Sequence, residues 1–270
     1  MSKTIILKIG TTSITADCDQ GVNLKILNDL AQVSASIIKN GYRVVIVSSG
    51  AMGLGLARLG SDKIEKQLGF NPCKSDMTTY KQALTAIGQV ELMKEYQNLF
   101  AKHKMEIGQV LVTHSGIKDD TRNSIIKETI SKMFELGLIP IINANDTVSS
   151  KQIVSGDNDS LAARMAILLE AEKLFLITDV AGIYDKDPNK HDDAELIGEV
   201  EKIDDELRKM TTGSTSRTST GGMRSKLNAA EVCQEKGIQV EILDAKYTKD
   251  IDKLVLNKDH NIENTTVLPH

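Results

Sequence analysis

Six short runs rich in β-branched residues recur along the chain: TIILKI (4–9), RVVIVSS (43–49), GQVLVT (108–113), LIPIIN (138–143), KLFLIT (173–178) and QVEIL (239–243). Each is apolar at successive rather than alternate positions, the pattern of a strand covered by helices on both faces. Amphipathic stretches lie between them. Over 22–40, Leu24, Leu27, Ala31, Ile37 and Ile38 mark one helical face, and Gly41 stands where a C-terminal cap belongs. Segments 79–103, 122–136, 159–170 and 223–236 read the same way, with Gly137 and Gly237 closing two of them. Strand–helix alternation over nearly the whole chain predicts a mainly parallel sheet with helices on both sides.

Composition narrows what such a sheet serves. The chain has 270 residues, 40% of them hydrophobic and only 3% aromatic. That suits one large domain or two fused lobes, with a core of Leu, Ile, Val, Ala and Met. A net charge of −4 excludes the long basic tracks of nucleic-acid binding. Cys18, Cys73 and Cys233 lie far apart and form no CxxC pair, and the histidines show no metal-ligand spacing. Neither a zinc knuckle nor a disulfide framework is indicated. The N-terminus enters a short strand without a signal-peptide core, and no apolar run reaches the roughly 18–20 residues that span a bilayer. A cytoplasmic location is expected.

In parallel sheets ligands gather beyond the carboxyl ends of the strands, so the polar residues following each run are the candidates. After the first comes Lys8-Ile9-Gly10. A lysine inside an apolar strand either snorkels from an edge or is aimed at phosphate beside a glycine turn. Ser48-Ser49-Gly50 follows the second run, with side chains small enough for close backbone approach to a ligand. Asn145 and Asp146 follow LIPIIN; together with Asn158 and Asp159 they either recognise an ammonium group, organise cations, or lie on the surface. Thr178 and Asp179 end KLFLIT, placed for a ribose or a metal. Finally, 219–226 (STGGMRSK) enters a helix through a glycine pair, an anion site made of N–H groups, a hydroxyl and Lys226. The Ser/Thr/Gly-rich segment before it, 211–219, reads either as a linker or as a lid over a nucleotide.

SGDNDS (155–160) carries more acid than a helix start needs. Asp157 suffices as a cap. A carboxylate about 5 Å from a phosphate charge costs about 3 kcal/mol at an effective dielectric of about 20, so Asp159 is harmful there unless cations hold it. If it bonds the ammonium groups of both Lys8 and Lys226, the sign reverses and the lysines are fixed in place. The phosphate chemistry is not that of a Walker loop, since Gly-Lys never occurs. Gly53-Leu54-Gly55 does not complete a dinucleotide fingerprint either, because position 58 is Arg.

Taken in order, LKIGTTS (7–13), VSSGAMGLG (47–55), INANDTV (142–148), SGDNDSLAA (155–163), TDVAGIYDKDP (178–188) and STGGMRSKLNAA (219–230) resemble the amino acid kinase family, within it the members that phosphorylate the side-chain carboxylate of L-glutamate. The resemblance covers about 4–245. It implies a three-layer αβα sandwich on a mainly parallel eight-stranded open sheet, and ATP-dependent formation of γ-glutamyl phosphate for proline synthesis. It also implies catalytic roles for Lys8, Lys226, Asp159, Gly10 and Gly50, the glycines through their N–H groups. Ser49, Asp146 and Asn158 match glutamate-binding positions. Lys8, Thr178, Asp179, Thr220, Gly221, Gly222, Met223, Arg224, Ser225 and Lys226 match nucleotide-binding ones. Mg²⁺ is expected to ride on the ATP phosphates rather than in a protein cage, and the partners are small molecules within a homo-oligomer, a dimer or tetramer.

The implied organisation is one kinase domain over 1–270, with an acceptor lobe to about 170, a nucleotide lobe over about 171–258 and a tail over 259–270. The chain is too short for the RNA-binding-like PUA domain that many relatives carry. Ala144 replaces a Glu common in the family. Acetylglutamate, aspartate or carbamate kinases, and a non-catalytic sensor, are the competing readings. GDND argues against the first group, and the joint presence of Lys8, Asp159 and Lys226 against the last.

Overall fold

The computed structural model describes residues 2–15, 21–70, 78–113, 119–148, 158–188, 190–211, 222–257 and 261–270. Its centre is an eight-stranded sheet. Strands β1 (Thr4–Ile9), β2 (Arg43–Ser48), β3 (Glu106–Val112), β4 (Leu138–Ala144), β5 (Lys173–Thr178), β8 (Glu199–Val200), β9 (Gln239–Asp244) and β10 (Asn264–Val267) lie in the order β3-β4-β2-β1-β5-β9-β10-β8. A two-stranded ribbon, β6 (Ile183–Tyr184) with β7 (Leu196–Ile197), stands apart. All neighbours in the large sheet are parallel except β9 and β10.

Helices cover both faces. On one side apolar side chains such as Val45, Val47, Ile142 and Leu176 pack with α7 (Asn158–Leu168) and α9 (Met223–Gln234). On the other, Ile5, Leu7, Ile46 and Phe175 meet α2 (Leu24–Lys39) and α5 (Thr78–Ala101). Local chemistry sets the starts: Asn23 Oδ1 accepts from Ile26 N at 3.3 Å to begin α2, and Asp119 Oδ1 accepts from Thr121 N at 2.9 Å to begin α6 (Asp120–Glu135). No described helix is long and apolar enough to cross a membrane.

Two readings are corrected. The GQVLVT run is not covered on both faces: β3 is an edge strand paired only with β4, and Leu111 is 40% exposed. Lys8 does not snorkel from an edge, because β1 lies between β2 and β5 and Lys8 is buried. The glycine-rich stretch after β2 forms α3 (Ala51–Leu59), followed by α4 (Ser61–Leu68). Glycine is a poor helix former, but tertiary packing overrides propensity here. A Cβ on Gly55 would stand 1.9 Å from the Leu84 carbonyl oxygen, and one on Gly88 would stand 1.6 Å from that of Ala51. The two helices cross backbone against backbone. The short helices α1 (Thr11–Ile14), α8 (Asp205–Thr211) and α10 (Ile251–Val255) complete the described set, and the C-terminal tail closes the sheet as β10.

Candidate active site

Lys8 is the fifth residue of β1, level with Val47 of β2 and Leu176 of β5. Two residues on, the chain leaves the sheet at Gly10, whose N–H donates to the Ile177 carbonyl at 3.1 Å. That bond extends the β1–β5 ladder and engages this N–H within the protein. A Cβ at position 10 would lie 3.7 Å from Lys8 Nζ, so the glycine keeps the space beside the ammonium open.

Asp159 is the second residue of α7, which packs across β1, β2, β4 and β5 and against α9. That placement brings together side chains from the two ends of the sequence. Lys8 Nζ lies 2.5 Å from Asp159 Oδ1 and Lys226 Nζ, in the first turn of α9, lies 3.2 Å from Asp159 Oδ2. Asp159 is 0% exposed and both lysines 5%. Burial alone would push the Asp159 carboxyl up; the two ammonium groups outweigh it and hold the carboxyl below the usual carboxylate range. The acid is therefore a charged yoke between two cations.

Beside it stands Asn158. Its Nδ2 lies 2.8 Å from the Ser48 carbonyl oxygen, 2.8 Å from Ser49 Oγ and 3.2 Å from Asn143 Oδ1. The amide is locked on its donor side, while its buried Oδ1 has no partner among the described residues. Ser49 leads into Gly50, whose φ of 91° is left-handed and which begins α3. A Cβ there would meet Ile14 Cγ2 at 3.1 Å, so position 50 is reserved for glycine on two counts.

Asp146 opens the 3₁₀ turn Asp146–Val148 directly after β4. Asn145 is drawn into that turn, its Oδ1 accepting from Thr147 Oγ1 at 2.6 Å. Thr178 ends β5, one residue beyond the Ile177 carbonyl that receives Gly10, and its hydroxyl donates to Asp179 Oδ1 at 3.0 Å. Asp179 is exposed. α9 starts at Gly222 without a side-chain cap; Met223 and Ser225 are half-buried in its first turn and Arg224 is exposed. Thr220, Gly221, most of the proposed lid and the capping residue Asp157 lie outside the described residues. No three His, Cys, Asp or Glu side chains converge as a metal cage among the described residues.

Sequence reasoning passed over Asn143, whose Oδ1 steadies Asn158 while accepting from Ala144 N at 2.8 Å. The signal was present, since Asn143 is a buried amide closing an otherwise apolar strand.

A parallel αβα sandwich with two lysines yoked by an acid at the strand ends defines a class of phosphotransferase scaffold, and the amino acid kinase family profile matches residues 3–244. The chain belongs to the amino acid kinase family. Among its curated relatives, the glutamate 5-kinase of Alkaliphilus oremlandii is 40% identical over 257 residues, covering 95% of this chain and 94% of that protein. The glutamate 5-kinase of Vibrio vulnificus is 40% identical over 240 residues, and that of Lactococcus lactis 36% identical over 257. The chain spans 60% of the Vibrio protein's length and 91% of the Lactococcus one. Solved structures of an isopentenyl phosphate kinase (TM-score 0.65, 19% identity, covering 98% of this chain and 99% of that one) and of the UMP kinase from Ureaplasma parvum (TM-score 0.61, 17% identity, 99% of both) share the fold.

Proposed function

We infer that this chain transfers the γ-phosphoryl group of ATP to the γ-carboxylate of L-glutamate, giving γ-glutamyl phosphate and ADP in the first step of proline synthesis. The observation that carries the reading is the buried Lys8–Asp159–Lys226 set beside the locked amide of Asn158. Its relatives of 36–40% identity are glutamate 5-kinases.

Both reactants are anions, so the work lies in alignment and charge neutralisation rather than in covalent catalysis. A carboxylate oxygen of the acceptor attacks the γ-phosphorus as its bond to the β,γ-bridging oxygen breaks. Lys8 and Lys226 face the oxygens on which charge is spread, and Asp159 keeps the two ammonium groups from drifting apart. Asn158 Oδ1 is left to accept from a donor on the substrate, and the α-ammonium of glutamate is such a donor. Ser49 and Asp146 serve the same acceptor; Thr178, Asp179 and the start of α9 serve the nucleotide. With ATP entering as its magnesium complex, the metal supplies further neutralisation on the phosphate oxygens.

A coupled ADP assay offering L-glutamate, D-glutamate, N-acetylglutamate and aspartate in turn tests the reading. Turnover is expected with L-glutamate; ADP release with another acceptor and not with L-glutamate sinks it.

A further inference from the structure

The hydroxyl of Tyr96 has no part in the chemistry above, yet it is placed against it. Tyr96 is fully buried in α5, within the apolar layer on one face of the sheet, its ring 5.9 Å from that of Phe100. A phenyl ring would fill the same volume. A phenolic hydroxyl in such surroundings needs a hydrogen-bond partner, and it has one, Ser48 Oγ at 2.9 Å. Both bonds of Ser48 Oγ are made at once when its one hydrogen goes to the Ser49 carbonyl at 3.2 Å and Tyr96 donates to it. The carbonyl of the same Ser48, together with Ser49 Oγ, receives Nδ2 of Asn158. Tyr96 thus fixes the Ser48 side chain, Ser48 fixes the following peptide, and that peptide sets where Ser49 and Asn158 stand.

The helix that carries Tyr96 also reaches the rest of the acceptor pocket. α5 packs against the turn bearing Asp146, and through Gly88 it lies against Ala51, the first residue of α3. None of these contacts involves Thr178, Asp179 or α9.

We propose that Tyr96 is a positioning residue for the acceptor amino acid, its hydroxyl holding the Ser49–Asn158 pair in register through Ser48. The proposal rests on the reading of the chain as a kinase with an amino-acid acceptor. Tyr96→Phe keeps the ring and removes only the donor. It is expected to raise the acceptor KM about three- to tenfold, the worth of one buried hydrogen bond. The ATP KM is expected to stay within about twofold and kcat to change less than the acceptor KM. Ser48→Ala is expected to act alike, and the double variant to be no worse than the worse single one, because both changes cut the same link.

An acceptor KM unmoved in Tyr96→Phe, acceptor and ATP KM rising in parallel, or additive effects in the double variant would each overturn the proposal. Wild-type chain that turns over none of the four acceptors brings down the underlying reading, and the proposal with it; that result is seen before any variant is made.

Discussion

A single carboxylate decides what this site can bind. Asp159 beside a phosphate is repulsive on its own, and with two ammonium groups on its oxygens it becomes the part that sets their spacing. Removing one cation therefore strips the proposed transition state of charge stabilisation while leaving the Ser49–Asn158 hydrogen bond, assigned above to the acceptor, in place. Lys226→Ala is expected to lower kcat by about 100- to 1000-fold with the glutamate KM changed little, as for loss of one preorganised charge donor. Steady-state kinetics with glutamate varied at saturating ATP reads this, and unchanged turnover refutes the role. At this scale the sequence was most legible where charge must be compensated: an unpaired acid among phosphates makes no sense, so Lys8, Asp159 and Lys226 could be joined across the chain. It was least legible where a group is engaged by backbone from afar. Nothing in Lys8-Ile9-Gly10 says that the Gly10 N–H goes to Ile177, or that Tyr96, an ordinary core aromatic by its helical position, meets Ser48.

One helix crossing carries the acceptor side of the site. α3 is entered through Gly50, one residue past Ser49, and its direction is set by contact with α5, where Gly55 and Gly88 let the two backbones touch. A methyl group at position 88 would have to displace the Ala51 carbonyl, and backbone gives way less readily than a flexible side chain. Gly88→Ala is expected to destabilise the fold by about 1–3 kcal/mol or more and to raise the glutamate KM by moving the start of α3. Urea titration and kinetics on the soluble fraction read the two effects; an unchanged midpoint would mean the helices do not cross this closely. Six strands of the central sheet were readable because continuous apolar runs between helices leave few alternatives; β8 and β10, at two and four residues, are too short to make such a run. This crossing was hidden, since a glycine that permits contact between helices looks in sequence like a glycine that permits a turn. The same limit applies to β3: its Val110-Leu111-Val112 run is apolar at successive positions, and only the strand order reveals it as an edge.

Two buried acids give the whole molecule opposite responses to pH. Asp159 lies at the carboxyl ends of the strands. Glu241 lies in β9, and its neighbour Lys173 opens β5 at the far end from Thr178. Lys173 Nζ donates to the Leu254 carbonyl at 2.9 Å and stays 3.9 Å from Glu241 Oε1, so the pair is loosely made. Burial pushes the Glu241 carboxyl up, and hydrogen bonds from Thr266 and Gln239 with the charge of Lys173 offset it only in part. A folded-state value raised above the unfolded one, about 4.3, gives stability that is full below that value and is lost as pH rises through the folded one. Asp159 is depressed, so its contribution is present above the unfolded value of about 3.9 and is lost as pH falls through the lower folded value. Glu170 and Asp193 are also held down by lysines, and Glu263 by the Tyr247 hydroxyl and then Lys246, but all three are exposed and screened by salt, so they count for little. These two groups are therefore expected to cost the chain stability as pH rises above about 4.3 through Glu241 and as it falls below about 3.9 through Asp159. Glu241→Gln keeps an oxygen for Asn264 and Thr266 and removes the titration. It is expected to flatten the neutral-side decline while leaving the acid limb unchanged, as read from denaturant midpoints between about pH 3 and 8 over the range set by these two groups. A decline toward neutrality that persists in Glu241→Gln would mean that the raised carboxyl is not its source.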